Sequence, residues 1–87
     1  MFAEVVMYRT PFCPYCMRAK ALFKRKSQGA IEEIDVSKNE ALREEMMRKS
    51  GGKRSVPQIF IGGVHVGGCD DLYALDSAGK LDALLGA

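Results

Sequence analysis

The chain has no tryptophan, a single histidine and only three prolines among its 87 residues, and it contains no long apolar run. A membrane-spanning helix needs roughly 18–20 apolar residues. A secretory signal begins with a positive region before an apolar stretch, and residues 1–4 show no such start. The net charge of +2 gives no strongly basic surface of the kind that binds nucleic acid. These absences predict a cytoplasmic protein that binds neither membranes nor nucleic acid.

Cysteine is scarce as well, and its count of three is odd. An odd number does not fit a framework of paired structural disulfides, and a reducing compartment discourages such bridges. The length suits one small domain over residues 1–87, and 47% apolar with 28% charged residues is typical of a folded globular chain. The cysteines therefore require a redox or a metal explanation.

Apolar patterns and turn signals predict the element order β-α-β-α-β-β-α, followed by a short final helix. We expect strands at 4–8, 30–36, 58–61 and 64–66, and helices at 14–26, 38–49, 70–79 and 81–85. The first half is a βαβ unit with parallel strands, and the second half is an antiparallel hairpin turned by Gly62-Gly63. The predicted fold class is α/β, with a four-stranded mixed sheet and helices on both faces.

Two helix ends are predicted from local signals. Ser27-Gln28-Gly29 is expected to end the first helix. Ser37 is the expected N-cap of the second helix, because Glu40 stands three residues later and completes the pattern of a capping box.

Cys13 and Cys16 have C-x-x-C spacing at the junction of the first strand and the first helix, which is typical of a thiol–disulfide redox centre. Unpaired backbone N–H groups and the helix dipole favour a thiolate at such a helix start, and the thiolate is the reactive form. We predict that Cys13, at the exposed helix end, is the nucleophile and that Cys16, one turn deeper, is the resolving thiol. Pro14 stiffens the turn between them, and Tyr15 shapes the rim of the site.

A metal site is the alternative interpretation of the C-x-x-C. A structural zinc ion needs four ligands, and only His65, expected in mid-strand, and Cys69 remain to supply them. A lone cysteine such as Cys69 is more often a small buried residue. The methionines also fit core packing better than a metal-binding face; those considered are Met7, Met17, Met46 and Met47. We therefore predict no metal site.

Four motifs together carry a family resemblance. They are Cys-Pro-Tyr-Cys at 13–16, Ser-Val-Pro at 55–57, Gly-Gly at 67–68 and Cys-Asp-Asp at 69–71. The combination closely resembles glutaredoxins, specifically the small dithiol bacterial kind, over essentially the whole of 5–85. The C-x-x-C alone indicates only the thioredoxin superfamily, whereas the Gly-Gly-Cys-Asp-Asp run separates glutaredoxin from thioredoxin. The resemblance implies a thioredoxin-like fold and a monomeric, glutathione-dependent oxidoreductase.

The resemblance also implies a set of glutathione-binding residues: Tyr15, Arg48, Val56, Pro57, Gly68, Cys69 and Asp70. Pro57 matches the family's cis-proline, which turns the backbone of Val56 so that it can pair with the cysteinyl part of glutathione. Cys69 and Asp70 match the positions that hold the γ-glutamyl end. Arg48 falls on the helix position that contacts the glycyl carboxylate.

This chain departs from the family pattern at two places that affect the implied glutathione-binding residues. Thr10 stands where the family usually has a lysine, and Arg9 is the nearest cation, so which of the two takes the lysine's role stays open. The loop before Ser55 is one residue longer than usual.

The implied reaction begins when the Cys13 thiolate removes glutathione from a protein–glutathione mixed disulfide, and a second glutathione then reduces Cys13. Protein disulfides require Cys16 as well. Glutathione is thus a reducing co-substrate and not a bound cofactor. The implied protein partners are glutathionylated or disulfide-containing proteins, with ribonucleotide reductase as a family-level expectation.

Two other functions belong to different classes. Some glutaredoxin relatives hold an iron–sulfur cluster between two subunits with glutathione as co-ligand, although Pro14 disfavours this because cluster-binding members usually lack that proline. A metal carrier similar to copper chaperones would leave the Gly-Gly-Cys-Asp-Asp run unexplained.

Overall fold

The computed structural model describes residues 3–26 and 31–86. Within these ranges the strands are β1 (Val5–Arg9), β2 (Glu32–Asp35), β3 (Gln58–Ile61) and β4 (Val64–Gly67), and the helices are α1 (Pro14–Arg25), α2 (Glu40–Lys49), α3 (Cys69–Ser77) and α4 (Leu81–Leu85). The predicted helix end at 27–29 and the predicted strand start at Ala30 lie outside the described residues. No helix in the described ranges is both long enough and apolar enough to cross a bilayer.

The strands form one sheet in the order β2-β1-β3-β4. β1 pairs with β2 in parallel, whereas β3 runs antiparallel to both β1 and β4. Gly62 and Gly63 make the two-residue turn between β3 and β4 with φ values of 57° and 82°, the positive φ that this hairpin turn demands and that glycine adopts readily. The predicted mixed sheet is confirmed.

The two faces of the sheet have separate cores, because successive strand residues point to opposite sides. Met7 and Ile59 face α1, α3 and α4, and both active-site cysteines belong to this cluster. Tyr8 and Phe60 face the other side, where Met46 of α2 packs on them. Helices therefore lie on both faces, and the redox pair is part of a packed core.

Helix α2 is anchored to the sheet by a hydrogen bond as well. The Tyr8 hydroxyl donates to Glu45 at 2.6 Å. Burial, followed by this hydrogen bond, raises the pKa of Tyr8 to about 12. The phenol therefore keeps its proton at neutral pH, and the contact that fixes α2 persists.

The predicted capping box at Ser37 is wrong. Asn39 is the N-cap of α2, and its side chain accepts from the Leu42 N–H at 3.1 Å. The Asp35 carboxylate instead accepts from the Ser37 N–H at 2.8 Å, which places Ser37 in the turn before the helix. Asparagine and serine are equally good N-caps, so cap preference alone does not choose between Ser37 and Asn39. The hydrogen bond from the Ser37 N–H to Asp35 holds Ser37 in the turn, and the helix is capped by Asn39 instead.

The predicted core role of Met17 is also wrong, because its side chain is 68% exposed. The buried residues of α1 are Cys16, Ala19, Leu22 and Phe23. Their spacing follows the helical period, and Met17 falls outside this stripe. Met17 is an exposed neighbour of the redox pair.

Candidate active site

Cys13 and Cys16 are joined by a disulfide at the start of α1, with their Cα atoms 5.2 Å apart. Cys13 is the N-cap and Pro14 is the first helical residue, as predicted. Proline fits there because its missing N–H would have no partner in the first turn. The Cys16 N–H donates to the Cys13 Sγ at 3.1 Å. The Cys13 sulfur therefore caps the helix, and the Cys16 N–H points at it.

The surroundings of Cys13 favour negative charge after reduction. The first turn of α1 contains no acidic residue, so no carboxylate there opposes ionisation of the thiol. The N–H contact and the positive end of the helix dipole both stabilise a thiolate at the N-cap. The geometry supports Cys13 as the attacking sulfur.

The sulfur of Cys13 is less open than the sequence suggests. Cys13 is 6% exposed and Cys16 is 2% exposed. The Cys13 Sγ lies against the first turn of the helix, because it is bonded to Cys16 and accepts from its N–H. The predicted order holds, with Cys16 the deeper residue, but in the disulfide form both cysteines are buried.

A second element of the site is the 55–57 segment before β3. The Val56–Pro57 peptide bond is cis, as the resemblance implies. A Cβ built on Gly68 would lie 3.4 Å from the Pro57 carbonyl oxygen. The loop before β3 and the start of α3 therefore lie close to each other at Gly68.

These elements enclose a groove of about 510 Å³. Its walls come from the CxxC turn, the loop before β3, strand β4 and the start of α3; the residues are Tyr15, Lys53, Ser55, Val56, Pro57, Gln58, His65, Val66, Gly67, Gly68, Cys69, Asp70 and Asp71. Every predicted glutathione-binding residue except Arg48 is among them. Arg48 is exposed in the last turn of α2.

Lys53 is a groove residue to which the sequence assigned no role. The buried Ser50 hydroxyl accepts from the Lys53 N–H at 3.2 Å and donates to the Lys53 carbonyl at 3.3 Å. The Gly52 N–H donates to the Met47 carbonyl at 2.7 Å. These bonds fold the lengthened loop back on α2 and bring a cation to the groove. The extra residue in the loop was the one sequence signal that pointed to the position of Lys53.

The start of α3 contributes negative charge and backbone donors. The Asp71 carboxylate accepts from the Gly68 N–H at 3.0 Å, so Asp71 caps its own helix. Asp70 is exposed on the groove. Cys69 is free and buried, and burial raises the pKa of its thiol. Cys69 therefore stays protonated at neutral pH, which makes it a poor nucleophile.

Arg9, one of the two residues considered in place of the family's lysine, is paired elsewhere. Its Nε lies 3.2 Å from a Glu33 carboxylate oxygen, and Lys20 contacts the other oxygen of the same carboxylate at 3.1 Å. Thr10 is half-buried. Within 3–26 and 31–86, no cluster of three or more His, Cys, Asp or Glu side chains could hold a metal ion.

The redox pair at a helix start, the cis-proline and the mixed sheet define a thiol–disulfide oxidoreductase of thioredoxin-like fold. The glutaredoxin family model matches residues 5–66. A glutaredoxin of Pseudomonas aeruginosa is 57% identical over 83 residues, covering 95% of this chain and 96% of the relative. Glutaredoxin 3 of Escherichia coli is 53% identical over 83 residues, covering 95% and 98%. The chain therefore belongs to the glutaredoxin family, whose members are oxidoreductases that act with glutathione.

A solved structure shares the same architecture. The crystal structure of a buckwheat glutaredoxin–glutathione complex matches with a TM-score of 0.85 and 31% identity, over 97% of this chain and 77% of the buckwheat chain. The predicted fold class, a thioredoxin-like α/β fold, is confirmed.

Proposed function

We propose that the groove binds glutathione with its sulfur towards Cys13, and that Cys13 exchanges the glutathionyl group while Cys16 resolves protein mixed disulfides. One observation carries this proposal: the Cys13–Cys16 disulfide adjoins a groove through Tyr15, the residue between the two cysteines that also lines the groove. A redox pair beside a peptide-sized groove suits a substrate that is both a thiol and a tripeptide.

Val56 supplies the main-chain contact. Its N–H and C=O form no hydrogen bond with any backbone group in the described part of the chain. An extended peptide can therefore pair with both groups as an added strand would. We assign this contact to the cysteinyl residue of glutathione, with Pro57 setting the direction of the Val56 backbone.

The two ends of glutathione meet opposite charges. The γ-glutamyl carboxylate binds the backbone N–H groups of Cys69 and Asp70 at the start of α3, because the Gly68 N–H is already bonded to Asp71. Its ammonium binds the exposed carboxylate of Asp70. The glycyl carboxylate binds Lys53, which lines the groove, in preference to Arg48, which does not.

The reaction balances in thiols and disulfides. The Cys13 thiolate attacks the glutathionyl sulfur of a mixed disulfide, and the protein thiolate leaves and takes a proton. A second glutathione thiolate then attacks the glutathionyl sulfur bound to Cys13, which forms glutathione disulfide and releases the Cys13 thiolate. With a protein disulfide, the Cys13 thiolate attacks one protein sulfur and the other leaves as a thiolate. Cys16 then attacks the Cys13 sulfur, which releases the second protein thiolate and leaves the 13–16 disulfide for glutathione to reduce.

We also propose where and with what the protein acts. The dithiol can cycle only where reduced glutathione is plentiful, which supports the cytoplasm. The protein substrates are glutathionylated or disulfide-containing proteins, and the monomer suffices because every proposed contact comes from one chain.

Substituting Lys53→Met is expected to raise the KM for glutathione about two- to fivefold, with kcat nearly unchanged, because an exposed ion pair contributes up to about 1 kcal/mol. Arg48→Met, the matched control, should leave KM close to that of the native protein. The measurement is a glutathione-reductase-coupled assay on a small glutathione mixed disulfide. A larger effect of Arg48→Met would transfer the carboxylate contact to that residue. Native turnover with thioredoxin reductase, and none with glutathione, would contradict the proposed function itself.

A further inference from the structure

Gln58, the first residue of β3, is a buried polar side chain with no role in the reaction described above. It is 3% exposed. Its Nε2 donates to the Ser55 carbonyl at 3.0 Å and lies 3.3 Å from the Ser55 Oγ. Its Oε1 lies 2.8 Å from the Nε2 of His65 on β4. Both ends of the buried amide therefore have partners, one in the loop and one in the neighbouring strand.

The Ser55 carbonyl fixes the direction of this chain of bonds. A carbonyl oxygen can only accept, so the Gln58 amide must turn its NH₂ towards Ser55 and its oxygen towards His65. The oxygen in turn requires His65 to donate from Nε2, which the neutral ring does only as the Nε2–H tautomer. The His65 ring packs against Phe60 with centroids 5.0 Å apart and planes tilted by 35°, which helps to hold the imidazole in place. His65 of β4 therefore donates to Gln58, and Gln58 donates to Ser55.

We propose that Gln58 and His65 are positioning residues that hold the 55–56 backbone at the glutathione-binding geometry. This inference rests on the proposed pairing of Val56 with glutathione. Val56 follows Ser55 directly, and no backbone hydrogen bond within the described residues restrains it. The Val56 side chain packs against both core clusters, and the Gln58 side chain supplies the hydrogen bond that ties the backbone of this segment to the sheet. Both residues also line the groove, and neither touches the reacting sulfurs, so the effect falls on glutathione affinity.

Gln58→Met keeps the length of the side chain and removes both hydrogen bonds. We expect the KM for glutathione to rise about five- to tenfold. This factor corresponds to the binding free energy lost when a buried hydrogen-bonding group is left without its partner. The kcat should change by less than about twofold, which is small beside the expected change in KM. Alkylation of reduced Cys13 by iodoacetamide should keep the native rate, because the α1 N-cap is untouched.

His65 gives a matched pair of variants in case the Gln58 variant fails to fold. His65→Phe keeps a ring beside Phe60 but removes the donor, whereas His65→Gln keeps a donor at similar reach. We expect His65→Phe to raise KM several-fold and His65→Gln to restore most of the native value. Equal KM values for these two variants would overturn the inference, as would a folded Gln58→Met variant with native KM. A parallel fall in the Cys13 alkylation rate would overturn it too, since it would indicate general distortion.

Backbone ¹⁵N relaxation at Ser55 and Val56 separates this inference from the proposed function. If the native protein showed no glutathione turnover, the proposed function would fail. Lower backbone order parameters at these residues in Gln58→Met or His65→Phe than in the native protein would still support the positioning role, and unchanged order parameters would overturn it.

Discussion

Cys13→Ser is expected to abolish both the removal of glutathione from proteins and the reduction of protein disulfides. Every proposed step forms or breaks a bond to the Cys13 sulfur, and a serine hydroxyl remains protonated at neutral pH. The rate should fall by about a thousandfold or more, as happens when other covalent nucleophiles are removed. The measurement is the glutathione-coupled assay on a glutathione mixed disulfide, run beside an assay on a protein disulfide.

Cys16→Ser is the matched variant for this test, because it removes the second sulfur at the same helix start. It should retain removal of glutathione, which uses Cys13 alone, and lose reduction of protein disulfides, which needs a resolving thiol. Activity in Cys13→Ser together with its loss in Cys16→Ser would reverse the assignment of the two sulfurs.

Gly67→Ala is expected to cost about 2–4 kcal/mol of folding free energy, a large part of the roughly 5–15 kcal/mol typical of a small domain. Gly67 ends β4 with a φ of 115°, which an L residue rarely adopts. A Cβ there would also overlap the Asp71 carboxylate, which holds the Gly68 N–H. The substitution therefore strains the backbone and displaces the cap of α3 together.

The control for Gly67→Ala is Gly79→Ala. Gly79 also has a positive φ, of 73°, but a Cβ there would meet no atom within 4 Å. Its cost should be about 1 kcal/mol, the strain of the left-handed region alone. Urea unfolding of both variants gives the comparison. Similar losses of folding free energy at the two positions would show that the clash with Asp71 contributes nothing. The KM for glutathione should rise only in Gly67→Ala.

The element order and the mixed sheet could be predicted from the sequence because they depend on local patterns. The valine-rich start, the Gly62-Gly63 turn and the spacing of apolar residues each act within one element. The start of α2 was missed for a different reason: Asn39 and Ser37 are both good caps, and the choice between them depends on where the Asp35 side chain lies.

Some residues of the site could likewise be predicted from the sequence, and others could not. The roles of Cys13 and Cys16 follow from one helix start, which the sequence displays directly. The place of Lys53 depends on how Ser50 folds a loop of unusual length. The bond between Gln58 and His65 depends on the register of β3 and β4, where a bulge falls between Ile59 and Phe60. Apart from the extra residue in that loop, contacts set by loop conformation or strand register leave no signal in the local sequence.

The central claim is that one sulfur, on Cys13, is ionised before the others in the reduced protein. The direct measurement is the rate of alkylation of each cysteine by iodoacetamide as a function of pH, resolved by peptide mass spectrometry. Cys13 should react first and already at about pH 6, since thiols at helix starts have pKa values of roughly 3.5–7.5. Cys16 and Cys69 should be protected, and burial raises the pKa of Cys69 further. An unmodified Cys13 at that pH, or faster labelling of Cys69, would contradict the account.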